Sequence, residues 1–161
     1  MAFKHRRVVT GLDEHGKSCV ISDATLDQLP TYDGPPVVIW RTDTYPVDNR
    51  GNADGAARFG IETFDSSSFF VLFTAEPGKP SAWHATNSID YVVVLSGRVM
   101  LELETGGVEL GAGDLIVDRG VTHSWRAIGD ETATLLGAVI RAQPLGAGSH
   151  FDAGFDQYLK D

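Results

Sequence analysis

The chain has 161 residues, a formal net charge of -9, 42% hydrophobic residues and one cysteine, Cys19. That length suits one domain whose core buries roughly two thirds of the unfolded surface without staples. The acidic balance argues against non-specific nucleic-acid binding and docking on anionic membranes; Cys19 cannot form an intramolecular disulfide, and no apolar run approaches the roughly 20 residues of a membrane span.

The first seven residues, Met1-Ala2-Phe3-Lys4-His5-Arg6-Arg7, are basic but lead into strand-like Val8-Val9 and not an apolar signal core, so a cytoplasmic location is expected. Arg6 to Thr10 and Ser18 to Ser22 read as a hairpin around Gly11–Gly16, and Val37 to Trp40 as a further strand entered through Gly34-Pro35-Pro36. Tyr45 to Ser68 is rich in Pro, Asp, Asn, Gly and Ser and has little periodicity. It reads as a long loop, a type of segment that often serves as a lid or binding loop.

From Phe69 onward short strands follow one another: Phe69 to Ala75, Ala82 to Thr86, Tyr91 to Leu95, Arg98 to Glu104, Gly107 to Leu110, Leu115 to Asp118, His123 to Ala127 and Thr132 to Arg141. Glycines and polar pairs separate them. In Arg98–Glu104 the apolar Val99, Leu101 and Leu103 alternate with outward residues. Many short strands with frequent turns predict an all-β sandwich or barrel. The expected organisation is N-terminal strands and loop over 1–68, a barrel core over 69–144 and a Gly-rich tail over 145–161, with a helix only at Asp156 to Lys160. No repeat, phosphate loop or dinucleotide fingerprint is present.

The chemistry concentrates in Trp83-His84-Ala85-Thr86-Asn87-Ser88-Ile89-Asp90-Tyr91 and in His123. Two imidazoles and one carboxylate delivered by neighbouring strands can hold a catalytic metal with open positions. Along a strand, residues two apart share a face, so His84 goes with Thr86, and His123 with Trp125 and Ala127.

These stretches resemble the two motifs of the cupin superfamily, small double-stranded β-helix (jelly-roll) barrels. The first is matched by Gly78, five residues, His84-x-Thr86, three residues, Asp90, six residues and Gly97, with Thr86 in place of the second histidine and Asp90 in place of glutamate. The second is matched by Gly113 through Gly120 to His123, one residue short, with Arg119 where proline is usual and Ala127 where asparagine is usual. The resemblance spans Phe69 to Arg141.

It implies a barrel interior lined by His84, Thr86, Asp90, His123 and Trp125, with His84, Asp90 and His123 as ligands of a divalent metal: Fe(II), Mn(II), Ni(II) or Zn(II). Because aspartate is a methylene shorter than glutamate, its alternative role is to orient an imidazole. Without metal, Asp90 and a histidine would still form an acid–base pair. Thr86 and Trp125 are candidate substrate contacts. Arg119 is a candidate for a substrate carboxylate, with an ion pair to Asp114 or Asp118 as its alternative. Trp83 and Tyr91 alternate away from the interior, and Trp40 and Arg41 have no assignable face.

The function expected is lyase, decarboxylase or isomerase chemistry on a small oxygenated organic substrate. A non-heme Fe(II) dioxygenase on the same ligands and a non-catalytic ligand-binding barrel are the alternatives. The partners expected are a small molecule and a second copy of the chain, because small cupins often dimerise through their sheets.

Overall fold

The computed structural model describes residues 5–153 and residue 155; the helix expected at Asp156–Lys160 lies outside them. Among the described residues twelve strands follow in order: β1 Arg6–Leu12, β2 Ser18–Thr25, β3 Val37–Thr42, β4 Ser68–Ala75, β5 His84–Ala85, β6 Ser88–Ser96, β7 Arg98–Leu103, β8 Gly106–Gly111, β9 Leu115–Asp118, β10 His123–Ala127, β11 Ala133–Arg141 and β12 His150–Phe151. Short 3-10 turns occur at Leu26–Gln28 and Ile61–Asp65. Among the described residues, no helix is long and apolar enough to cross a membrane.

Two five-stranded antiparallel sheets, β12-β5-β10-β7-β8 and β3-β4-β11-β6-β9, make a double-stranded β-helix, and β1-β2 form a separate hairpin. The two-residue alternation of each strand puts one row of side chains inside. On β6 that row runs Asp90, Val92, Val94; on β10, His123, Trp125, Ala127; on β9, Asp118 and Ile116. Every row passes from polar or aromatic residues to small aliphatic ones. One stretch of the interior is therefore packed solid by Val94, Val99, Leu101, Ile116 and Leu135. The other stretch stays open.

The N-terminal third closes the barrel in ways its composition conceals. The span read as a long loop bridges to β3 through Val38 and Ala57 and sends Phe59 into a cluster with Val38, Phe69 and Val71. Leu26 and Leu29 pack on Leu72, covering part of one outer sheet face. Buried Arg7 pairs with Asp54 at 2.7 Å and lies over the Trp40 ring, which keeps Trp40 away from the barrel interior.

The Gly-rich tail from residue 145 carries no strand signal in its sequence. Its described part instead forms β12, pairing His150 with Ala85 and Phe151 with His84, and Phe155 is buried. The aromatic pair Phe151 and Phe155, with ring centroids 4.4 Å apart, gives this short segment an apolar anchor.

Candidate active site

The open stretch of the barrel is a cavity of about 130 Å³, with His84, Thr86, Asp90, Asp118, His123 and Trp125 on its wall. The remaining lining is mostly apolar, including Phe59, Phe64, Phe69, Phe73 and Phe155. The structure brings together all the sequence-predicted site residues except Arg119. That side chain is exposed in the turn after β9 and is no part of the cavity wall. Expected as a substrate contact, it is on the wrong side of the turn because it alternates away from inward Asp118.

Local register explains the gathering. His84 and His123 are direct cross-strand partners on β5 and β10, which brings their ring centroids to 4.3 Å. Asp90 and Asp118 are direct partners on β6 and β9. The β4–β5 connection is tied to β10 through Ser81, whose hydroxyl accepts from Trp125 N at 2.7 Å and whose carbonyl accepts from Ser124 Oγ at 2.8 Å. Gly120, at φ +76°, lets the turn before His123 pass so close to Thr86 that an added Cβ would lie 2.2 Å from the Thr86 carbonyl oxygen.

Asp118 was missed as a pocket residue. The available signal was its place in Leu115–Asp118, where Ile116 and Asp118 alternate inward while Leu115 and Val117 face out. Its Oδ1 accepts from the amides of Gly120 (2.8 Å) and Val121 (3.3 Å), and its Oδ2 lies 2.9 Å from His123 Nδ1. That second contact is electrostatic and not an aligned hydrogen bond, because the same Nδ1 makes its directed bond to Val121 O at 2.9 Å.

Burial opposes both charges of this pair, but their mutual attraction and the two amides outweigh it. The Asp118 carboxyl is held below, and the His123 imidazole above, its ordinary range. His84 behaves oppositely: burial, and then the neighbouring His123 charge, push it down to about 4. Its Nδ1 donates to Ala82 O at 2.9 Å in the neutral tautomer this requires, leaving Nε2 as an acceptor. Burial raises Asp90 to about 6; the Ser88 hydroxyl bond works against that rise and the facing Asp118 charge adds to it.

Asp90 Oδ1 accepts from Ser88 Oγ at 2.6 Å, and Ser88 Oγ lies 2.7 Å from Thr86 Oγ1. Since a hydroxyl has one proton, Thr86 must donate to Ser88 when Ser88 donates to Asp90.

Cupins often bind metals, and a catalytic ion typically needs three protein donors. A ligating imidazole usually donates its other ring nitrogen to a carbonyl or carboxylate, and both histidines have such a partner. His84, Asp90 and His123 line one cavity but are not placed to share an ion: among the described residues, no three His, Cys, Asp or Glu side chains could hold one. Short Asp90 is bound to Ser88, Asp118 is committed to His123 and the turn amides, and Thr86 offers only a hydroxyl. Two imidazoles alone fall short of the three protein ligands of typical catalytic centres.

A two-sheet β-helix around a histidine- and carboxylate-lined cavity defines a jelly-roll barrel. Residues 71–139 match the family model described as the cupin domain, and the chain belongs to the cupin superfamily. It is similar to the cupin-domain-containing oxidoreductase fogC of Aspergillus ruber, at 30% identity over 127 residues, 74% of this chain and 62% of that protein. It is also 35% identical over 100 residues to phomopsin biosynthesis cluster proteins C' and D of Diaporthe leptostromiformis, 54% of this chain and 50% of each of those. The chain thus spans about half the length of these two relatives. Among solved structures, a double-stranded β-helix protein from Klebsiella pneumoniae aligns with TM-score 0.45 and 25% identity, over 53% of this chain and 74% of that one.

Proposed function

We propose that the cavity is the active site of an enzyme that moves a proton on a small, largely apolar, oxygen-bearing organic molecule, leading to isomerisation or elimination. The observation that carries this reading is the convergence of His84, Asp90 and His123, the last braced by Asp118, on one apolar cavity. An engineered apolar cavity of about 150 Å³ takes up benzene, so a space of about 130 Å³ suits a substrate portion no larger than a small ring.

The residues divide the work. His123, held protonated by Asp118, donates from Nε2 to a substrate carbonyl oxygen. That donation stabilises the enolate formed when Asp90 takes the proton from the adjacent carbon. Asp90 then returns the proton to another carbon, or to a departing hydroxyl that leaves as water, and ends ionised as it began. Neutral His84 accepts a hydrogen bond from the substrate and sets its orientation. The phenylalanine wall excludes bulk water and strengthens each of these interactions. No step is routed through a metal, because the donors do not assemble one.

The relatives named as biosynthesis cluster proteins support a small-molecule role. The name of the Aspergillus ruber relative favours a second reading, redox turnover of the same kind of substrate. Incubating small ketones and aldehydes with the protein in D₂O, and following deuterium at the carbon beside the carbonyl by NMR, tests the first reading. Exchange abolished by Asp90→Asn and His123→Gln, and indifferent to EDTA, is the expected result. No exchange with any such compound, or oxygen uptake that requires added Fe(II), would refute it.

A further inference from the structure

Register arranges the inward side chains of the second sheet in rows across its strands. Phe73, Leu135 and Val94 form one row, and Phe69, Val139, Asp90 and Asp118 form another. Between them runs Val71, Gly137, Val92 and Ile116, and Gly137 is the one place in these three rows without a side chain.

Neither the backbone nor the packing demands that glycine. It sits in the middle of β11, away from any turn, and its φ is not positive. A Cβ built on it would meet Phe73 Cε1 and Val92 Cγ2 at 3.6 Å and Val71 Cγ1 at 3.7 Å, which is ordinary van der Waals contact. Alanine therefore fits, and it would favour the strand more than glycine does. A glycine kept inside a strand often marks a place where another body approaches the backbone closely. Here that body comes from the cavity, because Gly137 is part of its wall.

The surroundings of the gap fix the shape it admits. Val71 and Val92 flank Gly137 as its direct strand partners, and Phe73 reaches its side from the next row. Trp125, on the facing sheet, lies with its ring centroid 6.0 Å from that of Phe73 and at 60° to it. A slot floored by bare peptide takes a flat ring and is too shallow for a puckered one. The two aromatic walls favour an aromatic guest through offset and edge-on contacts. Val139, two residues on from Gly137, is the direct partner of Asp90, so ring and carboxyl are separated by one row, roughly 7 Å along the strand.

We propose that Gly137 is the specificity-determining position of the cavity and that the substrate is an aryl ketone, with its carbonyl attached directly to the ring. The ring lies flat on the Gly137 peptide between Val71 and Val92, and the carbonyl extends toward His123. The substrate role rests on the proton-transfer reading above, whereas the ring slot requires binding alone.

Acetophenone titrated into the full chain with ¹³C-labelled methyl groups tests the slot, with cyclohexyl methyl ketone as the puckered counterpart. The ring current of a bound aromatic should shift the Val71 and Val92 methyl resonances, and acetophenone should bind several-fold tighter than its counterpart. Gly137→Ala should weaken acetophenone by about tenfold or more, the scale on which a hydrophobic pocket resolves one carbon. Its melting temperature should be no lower than that of wild type. Equal affinities for the two ketones, unshifted valine methyls, or undiminished binding of acetophenone by Gly137→Ala would each overturn the slot. The valine shifts are read on wild type and decide the matter even if the variant fails to fold. Acetophenone that binds as expected but exchanges no deuterium counts against the proton-transfer reading and leaves the slot standing. Exchange on aliphatic ketones without binding of acetophenone does the reverse.

Discussion

His123 Nδ1 lies 2.9 Å from Asp118 Oδ2, and both side chains are 3% exposed. An ion pair so buried holds its histidine charged only while its partner remains anionic. In wild type the His123 titration, followed by its ring proton resonances, should lie above the usual histidine range. Asp118→Asn removes the attraction and leaves burial dominant, so the midpoint should fall below that range. Stability from a raised histidine is complete below its unfolded pKa and is lost as pH rises through the folded value. Wild type should therefore lose this contribution on the alkaline side, and the variant should not.

Asp90 has a consequence of the same sign in a lower pH window. Its carboxyl titrates at about 6 against 3.8 for the unfolded group. The folded protein binds the extra proton between those values, so stability from this group falls as pH rises across them. Asp90→Asn removes that fall. Its stability relative to wild type should grow from pH 4 to pH 7, by on the order of 1–2 kcal/mol after allowing for solvent in the cavity. Urea melts at the two pH values check this, and a pH-independent difference would contradict it.

Gly120 and Gly113 share a positive φ but have different surroundings. A Cβ on Gly120 meets Thr86 O at 2.2 Å, whereas no atom beyond the adjacent residues lies within 4 Å of one on Gly113. Gly113→Ala should cost about 1–2 kcal/mol, the left-handed backbone penalty alone. Gly120→Ala should cost clearly more and should displace Thr86, and with it the hydroxyl chain to Asp90. Equal losses in chemical denaturation would show that the turn has room to move.

The donor geometry bears on metal dependence as well. With Asp90 held by Ser88 and no third ligand beside the two imidazoles among the described residues, EDTA should leave the melting temperature unchanged. Added Fe(II), Mn(II), Ni(II) or Zn(II) should raise it little, since a tight ligand stabilises in proportion to RT ln(1 + [L]/Kd). A large rise that disappears in His84→Ala would restore the triad of His84, Asp90 and His123.

A homodimer is expected through the outer face of the second sheet. Register aligns Phe70, Ala138, Tyr91 and Val117 in one row across four strands, and Leu136, Val93 and Leu115 in the next, beside Leu72, which Leu26 and Leu29 cover. Leu115 is 81% and Val117 62% exposed. A contiguous apolar face of this kind usually marks an interface, and a flat sheet packs well on its own copy. Light scattering should give twice the chain mass, and Val117→Lys should shift it toward the monomer. A monomeric wild type at micromolar concentration would rule the dimer out.

Much of the architecture could be read from the residues because strand alternation is local. Val99, Leu101 and Leu103 announce an inward row from a few neighbours alone, and glycine spacing locates the turns. The same local rule sent His84 with Thr86 and His123 with Trp125 toward one interior. Tertiary structure decided everything that depends on which strands meet. The β6–β9 pairing sets Asp118 across from Asp90, the turn that follows sets it beside His123, and Asp90 itself is bound by the Ser88 hydroxyl. Phe59, Phe64 and Phe155 reach the cavity from segments that carry no strand signal, because burial of an aromatic ring depends on a surface supplied by distant residues.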